Sequence, residues 1–230
     1  MMKKYVVTLM FIVGILGSIN AQEVKFGIKA GMNLSTLGSD LKNDFKEFDM
    51  SQKTRIGFHI GAFVDVEIIE NFYIQPGLFY SSKGVKAKES GYEETLNLNY
   101  LEIPILASYR IAISDKVKWH INAGPYLAYG LGGKIKTKDD SNWDDDDDWD
   151  YYSARSEDYD DDGVNNKVFD KNGGDLKRFD FGLSLGTGVE FNAFYVGLKY
   201  DLGLVNIAGN SWDKTKIKNS NFAISVGYTF

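Results

Sequence analysis

From Arg178 to Phe191 the chain alternates almost without interruption. Phe179, Phe181, Leu183, Leu185, Thr187, Val189 and Phe191 fall on one side, and Asp180, Gly182, Ser184, Gly186, Gly188 and Glu190 on the other. A period of two with one apolar face predicts a β-strand lying between two different environments. Ile56–Ile68 repeats the pattern, with Ile56, Phe58, Ile60, Ala62, Val64, Val66 and Ile68 opposed to Gly57, His59, Gly61, Phe63, Asp65 and Glu67. So does the end of the chain, where Phe222, Ile224, Val226, Tyr228 and Phe230 alternate with small residues. Noisier versions at Val24–Leu34, Phe72–Val85, Thr95–Ile113, Val117–Gly133 and Phe194–Ile207 bring the number of predicted strands to eight.

The links between these segments are informative. Ile69-Glu70-Asn71, Ser114-Asp115-Lys116 and Asn192-Ala193 read as tight turns. Ser35–Lys53, Lys86–Glu94, Lys134–Lys177 and Ala208–Ser220 read as longer loops. Strict alternation of short and long links is the asymmetry of outer-membrane barrels, with short periplasmic turns and longer external loops. Each segment is long enough to cross a bilayer at a tilt. The fold class expected is therefore all-β: an eight-stranded antiparallel up-and-down transmembrane β-barrel. Pro76, Pro104 and Pro125 sit awkwardly inside these strands and are expected at bulges or at the membrane rim.

The polar face of the strands carries charges of both signs. Lys25, Lys29, Arg110, Lys118 and Lys199 share it with Asp65, Glu67, Glu102, Asp180, Glu190 and Asp201. Side chains alone fill an eight-stranded barrel, so near-balanced inward charges predict an internal network that plugs the bore. Phe72, Trp119, Phe191, Phe194 and Phe230 fall near the short-turn ends. Tyr80, Tyr100, Tyr129, Tyr200 and Phe222 fall toward the loop ends. Two such aromatic belts are expected at the membrane interfaces. A soluble lipocalin-type barrel would place its apolar face inside instead.

Composition adds a route to the membrane and removes several chemistries. Met1–Lys4 is basic, Tyr5–Leu16 apolar, and Gly17–Ala21 mostly small, the order of a secretory signal peptide. Residues 1–21 are expected to be cleaved after Ala21, leaving residues 22–230 as the barrel domain; an uncleaved N-terminal anchor is the alternative. There is no cysteine, which removes disulfides, thiolate metal sites, thiol nucleophiles and lipid anchoring. The two histidines, His59 and His120, lie on strands without an evident triad partner, so no enzyme is expected. The net charge of −6 is uneven: Asp139–Asp162 holds thirteen acids against Arg155, and subtracting its −12 leaves +6 elsewhere. A single acidic block gives no footprint for nucleic acid.

Three stretches carry a family likeness. Phe26-Gly27-Ile28-Lys29-Ala30-Gly31-Met32-Asn33-Leu34-Ser35 resembles the first strand of PorT-type outer-membrane β-barrel proteins, which are common in Bacteroidetes. Asn99-Tyr100-Leu101-Glu102-Ile103-Pro104-Ile105-Leu106 resembles the fourth-strand segment of the same family. Gly227-Tyr228-Thr229-Phe230 is similar to the terminal aromatic signal read by the barrel-assembly machinery. The resemblance implies residence in the outer membrane, contact with outer-membrane lipid, and assembly through that C-terminal segment. Some members are associated with gliding or protein secretion, and nothing in these residues selects that role. The main departure from the family is the acidic insertion at residues 138–177.

That insertion is the most distinctive chemistry in the chain. Asp158, Asp160 and Asp162 alternate before Gly163, as in the first half of a calcium loop, where hard oxygens wrap the ion and glycine permits the bend. The match is incomplete, because Phe169 stands where the closing glutamate would be and Asp170 comes one residue late. A self-repelling solvated loop is the alternative. The function expected is structural or surface-interacting, with display of the acidic loop; a narrow pore or small-solute transporter is the alternative, and the surface partner is not legible. If Asp158, Asp160 and Asp162 ligate calcium, titration calorimetry of the refolded protein gives a calcium heat that Asp160→Ala abolishes. A heat that is absent, or that survives the substitution, removes calcium from the account.

Overall fold

A computed structural model describes residues 24–39, 51–89, 92–139, 166–169, 176–209 and 216–230. Nine strands are formed: β1 (Val24–Ser39), β2 (Ser51–Lys53), β3 (Arg55–Ile69), β4 (Phe72–Glu89), β5 (Tyr92–Ser114), β6 (Val117–Asp139), β7 (Phe179–Phe191), β8 (Phe194–Gly203) and β9 (Ile217–Thr229). β2 and β3 are separated by Thr54 alone and both pair with β4, so the nine strands make eight staves. Each stave is antiparallel to its neighbours, and pairing of β4 with β5 turns the open order β2-β4-β3-β1-β9-β8-β7-β6-β5 into a ring. The seam between the first and last strands runs from Gly27↔Thr229 to Ser39↔Ile217. Closure removes the sheet edge, which lipid would not tolerate.

All three tight turns form where expected, centred on Glu70-Asn71, Asp115-Lys116 and Asn192-Ala193. Asn71 and Asn192 take φ of 65° and 54°, the left-handed region that asparagine tolerates better than most residues. At the other end the staves outrun the sequence reading. β4 and β5 continue to Glu89 and Tyr92, which pair with each other, so the loop expected at Lys86–Glu94 is mostly hairpin. β6 likewise runs to Asp139, opposite Tyr92. β8 is shorter than expected, ending at Gly203, while β9 starts early at Ile217. These margins were hidden because polar Lys, Glu and Thr residues continue the strands above the apolar span, where outward alternation carries no hydrophobic signal.

The prolines depart from expectation in position. Each coincides with a break in one ladder: Val64 and Asp65 lack partners across from Pro76, and similar breaks lie at Pro104 and Pro125. The register is the same on both sides, so these are mid-wall gaps and not bulges. A missing N–H removes a bond without inserting a residue. The register shifts fall elsewhere, at Glu67/Ile69, Asn99/Tyr100 and Ala112/Ser114.

The alternation sorts side chains as predicted. Outward on β5 lie Leu101, Ile103, Ile105, Tyr109, Ile111 and Ile113, all exposed, and the same holds around the wall from Phe26 and Ile60 to Leu185 and Val226. Phe194, Tyr228 and Phe230 stack edge-on at the short-turn rim, with ring centroids 5.0 and 5.2 Å apart. An apolar surface of this extent belongs in hydrocarbon. Tyr100 is a correction to the outer belt: it is fully buried inside the bore. It shares the parity of Leu98 and Glu102, both buried, while Leu101 and Ile103 on the opposite parity are exposed, so the strand's own alternation turns it inward.

Inward glycines let aromatic rings lie flat across the bore. A Cβ at Gly188 would sit 2.5 Å from Tyr195 Cζ, so the Tyr195 ring occupies the volume of the missing side chain. Gly188→Val is therefore expected to destabilise the barrel by about 1–3 kcal/mol through overpacking. Urea unfolding in lipid vesicles measures this, and most of the loss should vanish in a Tyr195→Ala background.

Candidate functional site

The bore is the candidate site, and its side chains form layers. At the short-turn end Arg110 is ion-paired with Asp65 and stacks on Tyr73, 3.9 Å from the ring centroid. Gln75 links this pair to Lys29, donating to Asp65 (2.7 Å) and accepting from the Lys29 ammonium (2.8 Å). Lys29 Nζ also lies over Phe63 and Tyr195, at 4.3 and 4.5 Å. His120 Nε2 stands 3.3 Å from Glu190. In the low dielectric of a sealed bore, each of these charges needs a partner of this kind.

Above them His59 is held through both ring nitrogens, 2.9 Å from Asn33 Oδ1 and 2.9 Å from Ser225 Oγ. Both contacts fix the ring in the wall of the bore. A cavity of about 40 Å³ lies here, bordered by Lys29, His59, Gln75, Glu102, Asn122 and Lys199. It holds a few waters at most.

The next layer closes the bore. Glu102 bridges two ammonium groups, Lys83 at 2.6 Å and Lys199 at 2.9 Å. Asp201 approaches the same two, at 3.1 Å from Lys199 and 3.8 Å from Lys83. Ser184 and Asn221 donate to the Asp201 oxygens at 2.6 and 3.1 Å. Two cations and two anions from β4, β5 and β8 thus neutralise one another across the barrel. Lys83 Nζ also sits 4.7 Å from the Tyr126 ring, and Tyr126 and Asn219 both donate to Asp180 Oδ2.

The long-loop mouth is shut by apolar residues. A 3-10 turn, Asn166–Phe169, places Phe169 edge-on to Tyr100 with centroids 5.7 Å apart. Val168 and Phe169 bury against Leu37, Leu98, Leu176, Ile207 and Ile217. Backbone bonds fasten the turn: Leu176 N donates to Val168 O (2.9 Å), and Lys177 N to Ile207 O (2.7 Å). Gly130 leaves room for the Phe169 ring, 2.7 Å from where its Cβ would stand.

Of the inward charges expected from sequence, Lys29, Asp65, Glu102, Arg110, Asp180, Glu190, Lys199 and Asp201 meet inside the barrel, whereas Lys25, Glu67 and Lys118 are half-buried near the short-turn end, where Glu67 accepts from the Asn71 backbone N–H. Sequence reasoning missed Lys83, although it shares parity with Tyr73 and Gln75 in one strand. It also missed Phe169, which it weighed only as a failed calcium-loop position. Asp158, Asp160 and Asp162 lie outside the described residues. Among the described residues no group of three acids or histidines is placed to hold a metal ion.

Residues 20–209 match the family model described as an outer membrane protein beta-barrel domain. The chain belongs to that family. It is an outer-membrane protein, and the short-turn end is accordingly periplasmic. No curated protein matches it. Among solved structures it is similar to Ail, the attachment invasion locus protein of Yersinia pestis, at 13% identity over 90% of this chain and 99% of that one, with a TM-score of 0.42. Neisserial surface protein A compares at 13% identity over 90% and 99% of the two chains, TM-score 0.45. OprG of Pseudomonas aeruginosa compares at 10% identity over 92% and 98%, TM-score 0.44.

Within this outer-membrane barrel the Glu102 carboxylate is the centre of the seal. Glu102→Gln would leave two buried ammonium groups sharing Asp201 and is expected to destabilise by roughly 3–5 kcal/mol. Lys116→Gln, in an exposed periplasmic turn, should stay within about 0.5 kcal/mol of the parent. Equilibrium urea unfolding in vesicles compares the two.

Proposed function

We propose that this protein is a closed outer-membrane barrel that presents its extracellular segments to a surface partner, and that it is neither a pore nor an enzyme. The observation that carries the reading is the double seal. The Glu102–Lys83–Lys199–Asp201 layer and the Phe169 cap lie one above the other, and both span the bore. A solute would have to break buried ion pairs and then displace a packed turn. The wall also continues outward, with β4, β5 and β6 paired as far as Glu89, Tyr92 and Asp139. Such an extension serves display better than transport. The likeness of Phe26–Ser35 and Asn99–Leu106 to PorT-type barrels supports membership of that narrower group, and Gly227–Phe230 supports recognition by the assembly machinery.

The second reading, a narrow pore for small solutes, draws on the polar cavity beneath the seal. Planar bilayers separate the two. The proposed closed barrel inserts without steady conductance steps, whereas regular steps from the unmodified protein would favour the pore. A pull-down from cell-surface extracts then tests display, comparing the full chain with one lacking residues 140–165. Partners captured only by the full chain are expected, and identical captures from both would overturn a role for the acidic insertion.

A further inference from the structure

The small cavity in the middle of the bore has an uneven lining. Most of its polar side chains turn almost no surface toward it: Asn33, Gln75 and Asn122 are buried, and the Glu102 side chain is 2% exposed. The two lysines differ. Lys29 is half-buried and the Lys199 side chain is 23% exposed, so the charged surface offered to the cavity is mainly that of ammonium-bearing side chains. They come from β1 and β8 and border one space because the ring is closed.

Of the four cations in the network, Lys29, Lys83, Arg110 and Lys199, only Lys29 has no carboxylate at ion-pair distance among the described residues. Its ammonium group has the Gln75 amide oxygen and the faces of Phe63 and Tyr195. An amide dipole and two ring quadrupoles attract a cation but carry no net charge. The neighbouring carboxylates are engaged elsewhere: Asp65 with Arg110 and Gln75, Glu190 with His120, and both Glu102 oxygens with Lys83 and Lys199. Asp180, bonded to Tyr126 and Asn219, does not border the cavity. A buried ammonium group without a counter-ion is costly. The space sets the size of the partner that would relieve it. One water needs at least about 10–15 Å³ of such space, so a cavity of about 40 Å³ takes roughly three. A monatomic halide is little larger than a water and fits beside one or two of them, whereas a tetrahedral oxyanion would crowd the site.

We infer that this cavity is a binding site for a single small halide ion, with the Lys29 and Lys199 side chains as its cationic walls. The ion gives Lys29 the charged partner that the other three cations already have, through the charge-assisted N–H bonds that are the stronger kind. The Glu102 layer above and the Arg110–Asp65 layer below close the space. The halide is therefore taken in as the ring closes during folding, and it is a structural ligand and not a permeant solute. The site is independent of what the extracellular segments display.

The test refolds the full chain in detergent micelles with sodium bromide and locates bromide in the crystal by its anomalous scattering. The expected result is a peak inside the cavity, within hydrogen-bond reach of Lys29 Nζ and Lys199 Nζ, that is lost in Lys29→Met, which keeps the stem and removes the charge. Urea unfolding at fixed ionic strength gives a second readout. The midpoint should be higher in chloride than in gluconate, an anion too large for the cavity, and Lys29→Met should lose that difference while Lys116→Gln keeps it. Heat-modifiable gel mobility reports that each barrel has folded. If Lys29→Met fails to fold, the bromide map of the parent protein decides alone. Water alone at this position, bromide found only on the outer surface of the barrel, or a chloride effect equal in the parent and in Lys29→Met overturns the inference.

Discussion

In hydrocarbon no water is available to a backbone N–H or C=O, so a chain that crosses with strands must pair every strand on both sides. The seam between β1 and β9 satisfies this condition, and everything else follows from it. Closing a ring of eight staves sets a bore only wide enough for side chains. The period of two then sends alternate residues into that bore, whatever their charge. The ion pairs of Asp65 with Arg110 and of Glu102 with two lysines are the answer to that geometry. They need not add net stability over a well-packed apolar interior, but losing one partner would leave a bare charge in low dielectric.

The filling of the bore connects structure to role. Its periplasmic half is polar and bonded, its middle has a cavity of about 40 Å³, and its outer mouth is apolar and closed by the Asn166–Phe169 turn. The chain between β6 and β7 thus supplies the stopper, which Leu176 and Lys177 fasten through backbone bonds to Val168 and Ile207. Outside the barrel the division is vertical: aromatic rim, apolar belt, then polar strand ends with exposed lysines such as Lys53, Lys136 and Lys218. The same strands that span the membrane carry the surface chemistry past it.

Much of this was legible along the chain. The apolar alternation of Arg178–Phe191 and Ile56–Ile68, the three short turns and the mixed-sign inward charges specified an all-β ring with a plugged bore, because strand parity alone assigns a side chain to one of two environments. Tertiary structure decided what parity cannot express. Lys83 and Lys199 meet at Glu102 although they are far apart in sequence, since ring closure and not local pattern brings β4, β5 and β8 to one layer. Phe169 caps the mouth because a loop folds back on the barrel that it leaves, a contact with no periodic signature. The sequence by itself determined which face each strand residue takes; only the closed ring decided which of those residues touch, because strand pairing joins positions whose separation along the chain carries no information about their height in the barrel.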